Sequence, residues 1–398
     1  MATETPLKKS ILSRFAVWLI LLTVPAALML LMEVRAVGEL CHQSPDARVY
    51  LSIAENYLKT GHFIQTAREI EGMVVPPGVP FVLTILRFLH FSNKMLIGVH
   101  ALLFGISNIL LYETEKHIIG RGSWAPILYT LANLRCRIVL GNTLVEHYFL
   151  FLLCLSLCIV YSKMSQEKKV VGLNLIGLAL LMIRPLLSVV YLPIQVYSLF
   201  WSIRNKKPGI AACLVLLPAA ILSLNLAVNY RETGELILFE NYSGSDMYIA
   251  TSYYAPVHIE DANSYMDDTL YAIYQDDSVT MQQRNRLLKE HARENLRDHP
   301  RRYLLNGLLR GHELFLKAYA WATLYVLAGG VLLARDEFRQ KKLRSAAILL
   351  IVLALVVVSS FGVPDLRYSI VIWPMASIHG AYLTHRICEA VLRPRLPG

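Results

Sequence analysis

Charge is scarce in this chain: Asp, Glu, Lys and Arg make up 17% of its 398 residues, while 55% are hydrophobic. An ordinary soluble domain of this length carries far more charge, so composition excludes that class and leaves lipid as the solvent. Cysteine spacing is equally uninformative for chemistry. The six cysteines, at 41, 136, 154, 158, 213 and 388, follow no disulfide framework or metal-ligand pattern. Cys154 and Cys158, four apart, read as helix packing. Cys41 and Cys136 fall on one side of the membrane, but nothing in the pattern pairs them. There is no internal repeat and no low-complexity tract.

What the chain has in quantity is apolar runs, reflected in a mean hydropathy of +0.45. A span needs about 20 largely apolar residues. Ten segments read as candidates: 15–34, 95–112, 124–140, 145–162, 171–186, 187–202, 210–229, 313–334, 345–361 and 368–385. The run 124–140 is short, and 171–202 also reads as one kinked hairpin around Arg184-Pro185. Phe15–Met32 follows Lys8, Lys9 and Arg14 as a signal peptide would. Its length and the Glu33-Val34-Arg35 that follows read instead as a retained helix.

The net charge of +10 orients the protein rather than pointing to nucleic acid. Lys and Arg crowd residues 1–14, 112–123, 161–170, 203–209, 334–344 and 386–398, whereas the short opposite loops hold Arg135, Arg137, Arg184 and Arg367. By the positive-inside rule both termini are cytoplasmic. Two long segments, 35–94 and 231–312, then lie outside. The reading divides the chain into an N-terminal membrane module 1–230, an outer segment 231–312 and C-terminal membrane helices 313–398.

The first outer loop holds two stretches of helical apolar spacing: Asp46–Thr60, with Val49, Ile53 and Tyr57 on one face, and Val79–Phe91. They read as helices lying in the membrane interface. The second segment is thin in apolar residues and should lean on the membrane part. In it Thr280-Met281-Gln282-Gln283 predicts a capping box, opening a helix to about Arg297 that stops before His299-Pro300. Asp261, Asp267, Asp268, Asp276 and Asp277 lack EF-hand spacing and read as a solvated acidic face. Asn241-Tyr242-Ser243 has the form of a glycosylation sequon. His42 and His62 share the first loop with Asp46, but at no spacing known for a metal site.

Chemistry-bearing residues collect on the outer face. In order they are Ser44-Pro45-Asp46-Ala47-Arg48-Val49-Tyr50, Gly61-His62-Phe63, Pro76-Pro77-Gly78-Val79-Pro80, Thr143-Leu144-Val145-Glu146, Arg184-Pro185, His299-Pro300-Arg301-Arg302-Tyr303 and Asp365-Leu366-Arg367-Tyr368. In this order and spacing they resemble the GT-C superfamily of glycosyltransferases that use polyprenyl-phosphate sugars, near the bacterial aminoarabinose-transferase and protein O-mannosyltransferase group (glycosyltransferase family 39 type). That group reads in its first outer loop as an acidic residue, a Tyr soon after, an amphipathic helix ending in Gly, then Pro-Pro-Gly-Tyr-Pro. The counterparts here are Asp46, Tyr50, Gly61 and Pro76-Pro77-Gly78-Val79-Pro80.

The resemblance implies an all-α polytopic membrane protein of the GT-C fold, with about ten transmembrane helices and the active site facing the periplasm of a bacterial inner membrane. It implies inverting transfer of a sugar from a polyprenyl-phosphate donor to a glycan, lipid or protein acceptor, with no cofactor. Asp46 is the expected general base; as a residue it also suits the cap of the helix that follows. Arg184 and Arg367, at ends of apolar helices, would bind the lipid phosphate or snorkel to the interface. Arg48 would pair with Asp46 or phosphate. Glu146 would bind a sugar or acceptor hydroxyl, or favour its helix N-terminus. Tyr50 and Tyr368 would contact sugar or phosphate, or belong to the aromatic belt.

Two departures bear on the acceptor. The aminoarabinose enzymes place an acidic–basic pair just before the Pro of this loop, where this chain has Val74 and Val75, and no large C-terminal soluble domain follows the last span. The first removes that pair's phosphate-binding Lys, and the second argues against a protein mannosyltransferase and for a relative acting on a lipid or envelope glycan. The rival class is a flippase, transporter or binding protein for a lipid-linked sugar, which would show ionisable residues deep in several helices or matching interrupted halves. A scaffold of this fold without activity is the other alternative.

Overall fold

The computed structural model describes residues 6–37, 45–66, 71–135, 144–252, 268–276, 278–317, 320–362 and 370–392. Among them every regular element is a helix and none is a strand. In chain order they are α1 Pro6–Val37, α2 Pro45–Thr60, α3 Gly78–Phe88, α4 Asn93–Ile119, α5 Trp124–Arg135, α6 Leu144–Tyr161, α7 Gln166–Ile183, α8 Ser188–Arg204 and α9 Pro208–Thr233. There follow α10 Ser243–Ser252, α11 Asp268–Gln275, α12 Met281–Asp298, α13 Pro300–Gly311, α14 Ala320–Leu324, α15 Gly330–Arg339, α16 Arg344–Ser360 and α17 Trp373–Leu392.

The described helices overlap the segments read as spans. Four, Ser13–Met32, Asn93–Ile119, Pro185–Arg204 and Pro208–Thr233, are long and apolar enough to cross a membrane, with a fifth if the bent pair Pro300–Leu316 and Ala320–Arg339 counts as one. Their outward faces are apolar: Leu216 and Leu224 on α9 are each 67% exposed, as lipid contact requires. This is the make-up of an all-α integral membrane protein. In the short run 124–140 the described part, Trp124–Arg135, is helical, and 136–140 lie outside the described residues.

The ambiguous stretch 171–202 is two helices. Arg184 is extended, φ −150 and ψ 110, between α7 and a single 3-10 turn Pro185–Leu187. The following proline ring disfavours helical backbone at Arg184, so the chain breaks there. Close approach elsewhere depends on small residues. A Cβ on Gly105 of α4 would stand 2.4 Å from the Leu22 carbonyl oxygen, which lets α1 lie against α4. At the far end of the same pair Arg14 binds both oxygens of Glu113, at 3.2 and 2.7 Å, and Trp18 Nε1 donates to Oε1 at 2.9 Å.

The two long segments meet at one end of the bundle, the loop end. α10, α11 and α12 share a small apolar cluster of Tyr248, Leu270, Leu288 and Ala292, too little to hold a domain alone. α12 starts as expected: Thr280 accepts from Gln283 N at 3.3 Å, and Gln283 Oε1 accepts from Thr280 N at 2.8 Å.

Candidate functional site

α2 begins with Pro45, whose fixed φ suits the first helical position. Asp46 therefore lies inside the first turn, not on the flank where a capping residue sits, and Ser44 lies outside the described residues. Its carboxylate still benefits from the positive end of the helix dipole. Asp46 and Arg48 are exposed and Tyr50 half-buried. The inward stripe of α2 is Ala47, Leu51 and Ala54, with Ile53. The expected face of Val49, Ile53 and Tyr57 is thus off by part of a turn: Tyr57 is 44% exposed, set edge-on to Phe63.

Gly61 closes α2 in the left-handed region, φ +76, its N–H reaching the Tyr57 carbonyl at 2.8 Å. The chain after it is tied down at several points. Asn56 Nδ2 donates to the His62 and Ile64 carbonyls at 2.9 and 3.1 Å. Arg231 Nη2 donates to the Gly61 carbonyl at 2.8 Å, and His62 Nδ1 lies 2.9 Å from Glu232 Oε2. His62 thus pairs with a carboxylate at the end of α9. Asn241, 1% exposed, accepts from Val74 N and donates through Nδ2 to the Gly72 carbonyl, both at 2.8 Å. The amide of this sequon is consumed in holding the first loop.

The turn Pro76-Pro77-Gly78 then enters α3 against the end of α7. A Cβ on Gly78 would stand 2.8 Å from the Met182 carbonyl oxygen, so only glycine permits this approach. Met182 lies two residues before Arg184. The Arg184 side chain, 16% exposed, pairs with Glu146 at the start of α6, Nη1 to Oε1 3.4 Å, and Glu146 is 2% exposed. The guanidinium also stands 5.8 Å from the Phe149 ring centre, a cation–π contact. Glu146 Oε2 has no hydrogen-bond partner among the described residues.

A second carboxylate, Glu240, lies within electrostatic reach of Arg184 and Lys289 and is hydrogen-bonded by Tyr242. Burial pushes its carboxyl above the usual range, against the pull of that hydroxyl and those two charges. Beside Glu146, His147 stacks on His100 of α4 at 4.8 Å, and Tyr148 meets the same ring edge-on at 5.6 Å.

Of the expected residues, Asp46, Arg48 and Tyr50 share the first two turns of α2, and Glu146 and Arg184 form one buried pair. Arg367 and Tyr368 lie outside the described residues. Glu240, Tyr242 and Lys289 were not anticipated; the sequon that follows Glu240 gave no sign of them, and the Asn241 clamp lies at the next residue. No group of three or more metal-ligating side chains occurs among the described residues. Compared with protein-family models, curated proteins and solved structures, the chain finds no match.

Proposed function

We propose that the protein is an inverting glycosyltransferase that moves a sugar from a polyprenyl-phosphate donor to a lipid or envelope-glycan acceptor. About ten spans in the GT-C arrangement are part of this proposal, with the loop end facing the periplasm of a bacterial inner membrane. One observation carries the reading: the Pro76-Pro77-Gly78 turn, which resembles that family's first-loop motif, is seated by Gly78 on Met182, beside the Arg184–Glu146 pair. The turn, Glu146 and Arg184, far apart in sequence, are thereby neighbours, which supports the reading.

In the proposed reaction Asp46 takes the proton of an acceptor hydroxyl as its oxygen attacks the anomeric carbon. The bond from that carbon to the phosphate oxygen breaks with inversion, and both electrons leave with the polyprenyl phosphate. Arg184 and Arg367 balance the growing charge on the leaving oxygen, a task suited to the planar, permanently charged guanidinium. Glu146 holds Arg184 and offers its second oxygen to a sugar or acceptor hydroxyl. Arg48, Tyr50 and Tyr368 line the same approach. Purified protein given a radiolabelled polyprenyl-phosphate sugar and envelope extract should pass label to a glycolipid or glycan. Folded protein that binds such donors without transferring label would favour a carrier instead.

A further inference from the structure

α13 has its polarity inside out. Asn306, 3% exposed, and Arg310, 2% exposed, face the protein, while Leu304, Leu305, Leu308 and Leu309 are 56%, 46%, 69% and 44% exposed. A helix on a water-facing surface shows the reverse pattern. The inward side is built for its place. The Phe361 ring lies on Gly307, where a Cβ would stand 2.2 Å from it, and the Tyr303 ring packs against that ring at a tilt, centres 5.4 Å apart. Arg310 Nη1 donates to the Ala250 carbonyl at 2.9 Å and the Gly362 carbonyl at 3.2 Å. The leucines outside are thus not the result of a helix turned the wrong way.

Direction supplies the second argument. The helical run Pro300–Leu316 meets Ala320–Arg339 at 90°. If the second crosses the bilayer, the first runs along its plane. The second run exposes apolar side chains as well, Leu324 at 60%, Leu327 at 44% and Val331 at 58%. At the start of α13 the exposed Arg301 shares the leucine face, and the neighbouring Arg302 donates to the Ser252 carbonyl at 3.1 Å.

We propose that α13 rests in the surface of the lipid bilayer, its four leucines among the acyl chains and Arg301 at the level of the lipid phosphates, where anionic head groups are preferred. The membrane then carries the second long segment: α13 touches lipid on one side and, through Arg310, holds α10 and the end of α16 on the other. A second copy of the chain fits less well, because the run that follows at 90° also exposes apolar side chains, as a lipid-facing helix does, and the leucine face ends in a cation. This seating does not depend on the proposed glycosyl transfer.

The test uses full-length protein in nanodiscs of phosphatidylcholine, with and without phosphatidylglycerol, carrying a photo-crosslinking residue at Leu308 or, as the control, at exposed Glu290 of α12. Lipid adducts at position 308 should exceed those at 290 severalfold. In the mixed discs phosphatidylglycerol should be over-represented among them, and Arg301→Glu should abolish that excess. Equal adducts at the two positions, or adducts at 308 mainly to a second chain, would overturn the seating. A phosphatidylglycerol excess unchanged by Arg301→Glu would overturn the head-group contact.

Discussion

Gly78 rests on the carbonyl of Met182, with room for a hydrogen but not for a methyl group: a Cβ there would meet the oxygen at 2.8 Å and the Ile183 side chain at 2.9 Å. The oxygen is backbone of α7 and cannot swing aside. Gly78→Ala must therefore shift α3 away from α7, at about 1–3 kcal/mol as for other overpacked contacts. Thermal unfolding in detergent should show the loss, and transfer activity should fall further than stability because the loop moves with α3.

Asn241 joins segments 167 positions apart. Asn241→Ala would leave the Val74 N–H and Gly72 carbonyl without their partner, at roughly 1–3 kcal/mol for each group that stays buried. Limited proteolysis should then cut sooner in the first loop than in wild type.

Arg184→Leu would strand the Glu146 carboxylate in a buried place, which costs about 3–5 kcal/mol when one partner of such a pair is removed. Adding Glu146→Gln should recover part of that stability without restoring transfer. In steady-state assays the KM for donor should rise more than the KM for acceptor, and Arg367→Leu should show the same selectivity. Equal effects on both substrates would mark these arginines as structural.

Glu240 sets a pH dependence. Its carboxyl is raised in the folded protein by burial, so the native state holds its proton more tightly than the unfolded chain does. The stability this contributes is complete below the unfolded carboxyl range and is lost as pH rises through the raised value. Glu240→Gln should flatten the fall in melting temperature across that window and leave the protein more stable at neutral pH.

Much of the local structure was legible because its causes are local. The Thr280–Gln283 capping box, the helix of Asp46–Thr60 and the break at Arg184-Pro185 each follow from side chains within a turn of one another. The facing of α2 was less legible: Tyr57 continues the apolar spacing yet stays outside, since small Ala47 and Ala54 allow the closest packing. Nor could spacing reveal that Asn241 clamps Gly72 and Val74, or that Arg184 and Lys289 stand near Glu240. Those relations arise only when the end of α9 folds back over the first loop. The polarity of α13 was hidden for the same reason, because Arg310 reads as a surface residue until its two carbonyl partners are known.

Asp46 carries the central claim, and Asp46→Asn tests it with little change of shape. The variant should insert, fold and bind the polyprenyl-phosphate sugar as wild type does, while transfer of radiolabelled sugar falls by about two to four orders of magnitude, the usual contribution of a general base. Transfer at a near-normal rate would mean that Asp46 serves the first turn of α2 and not the reaction.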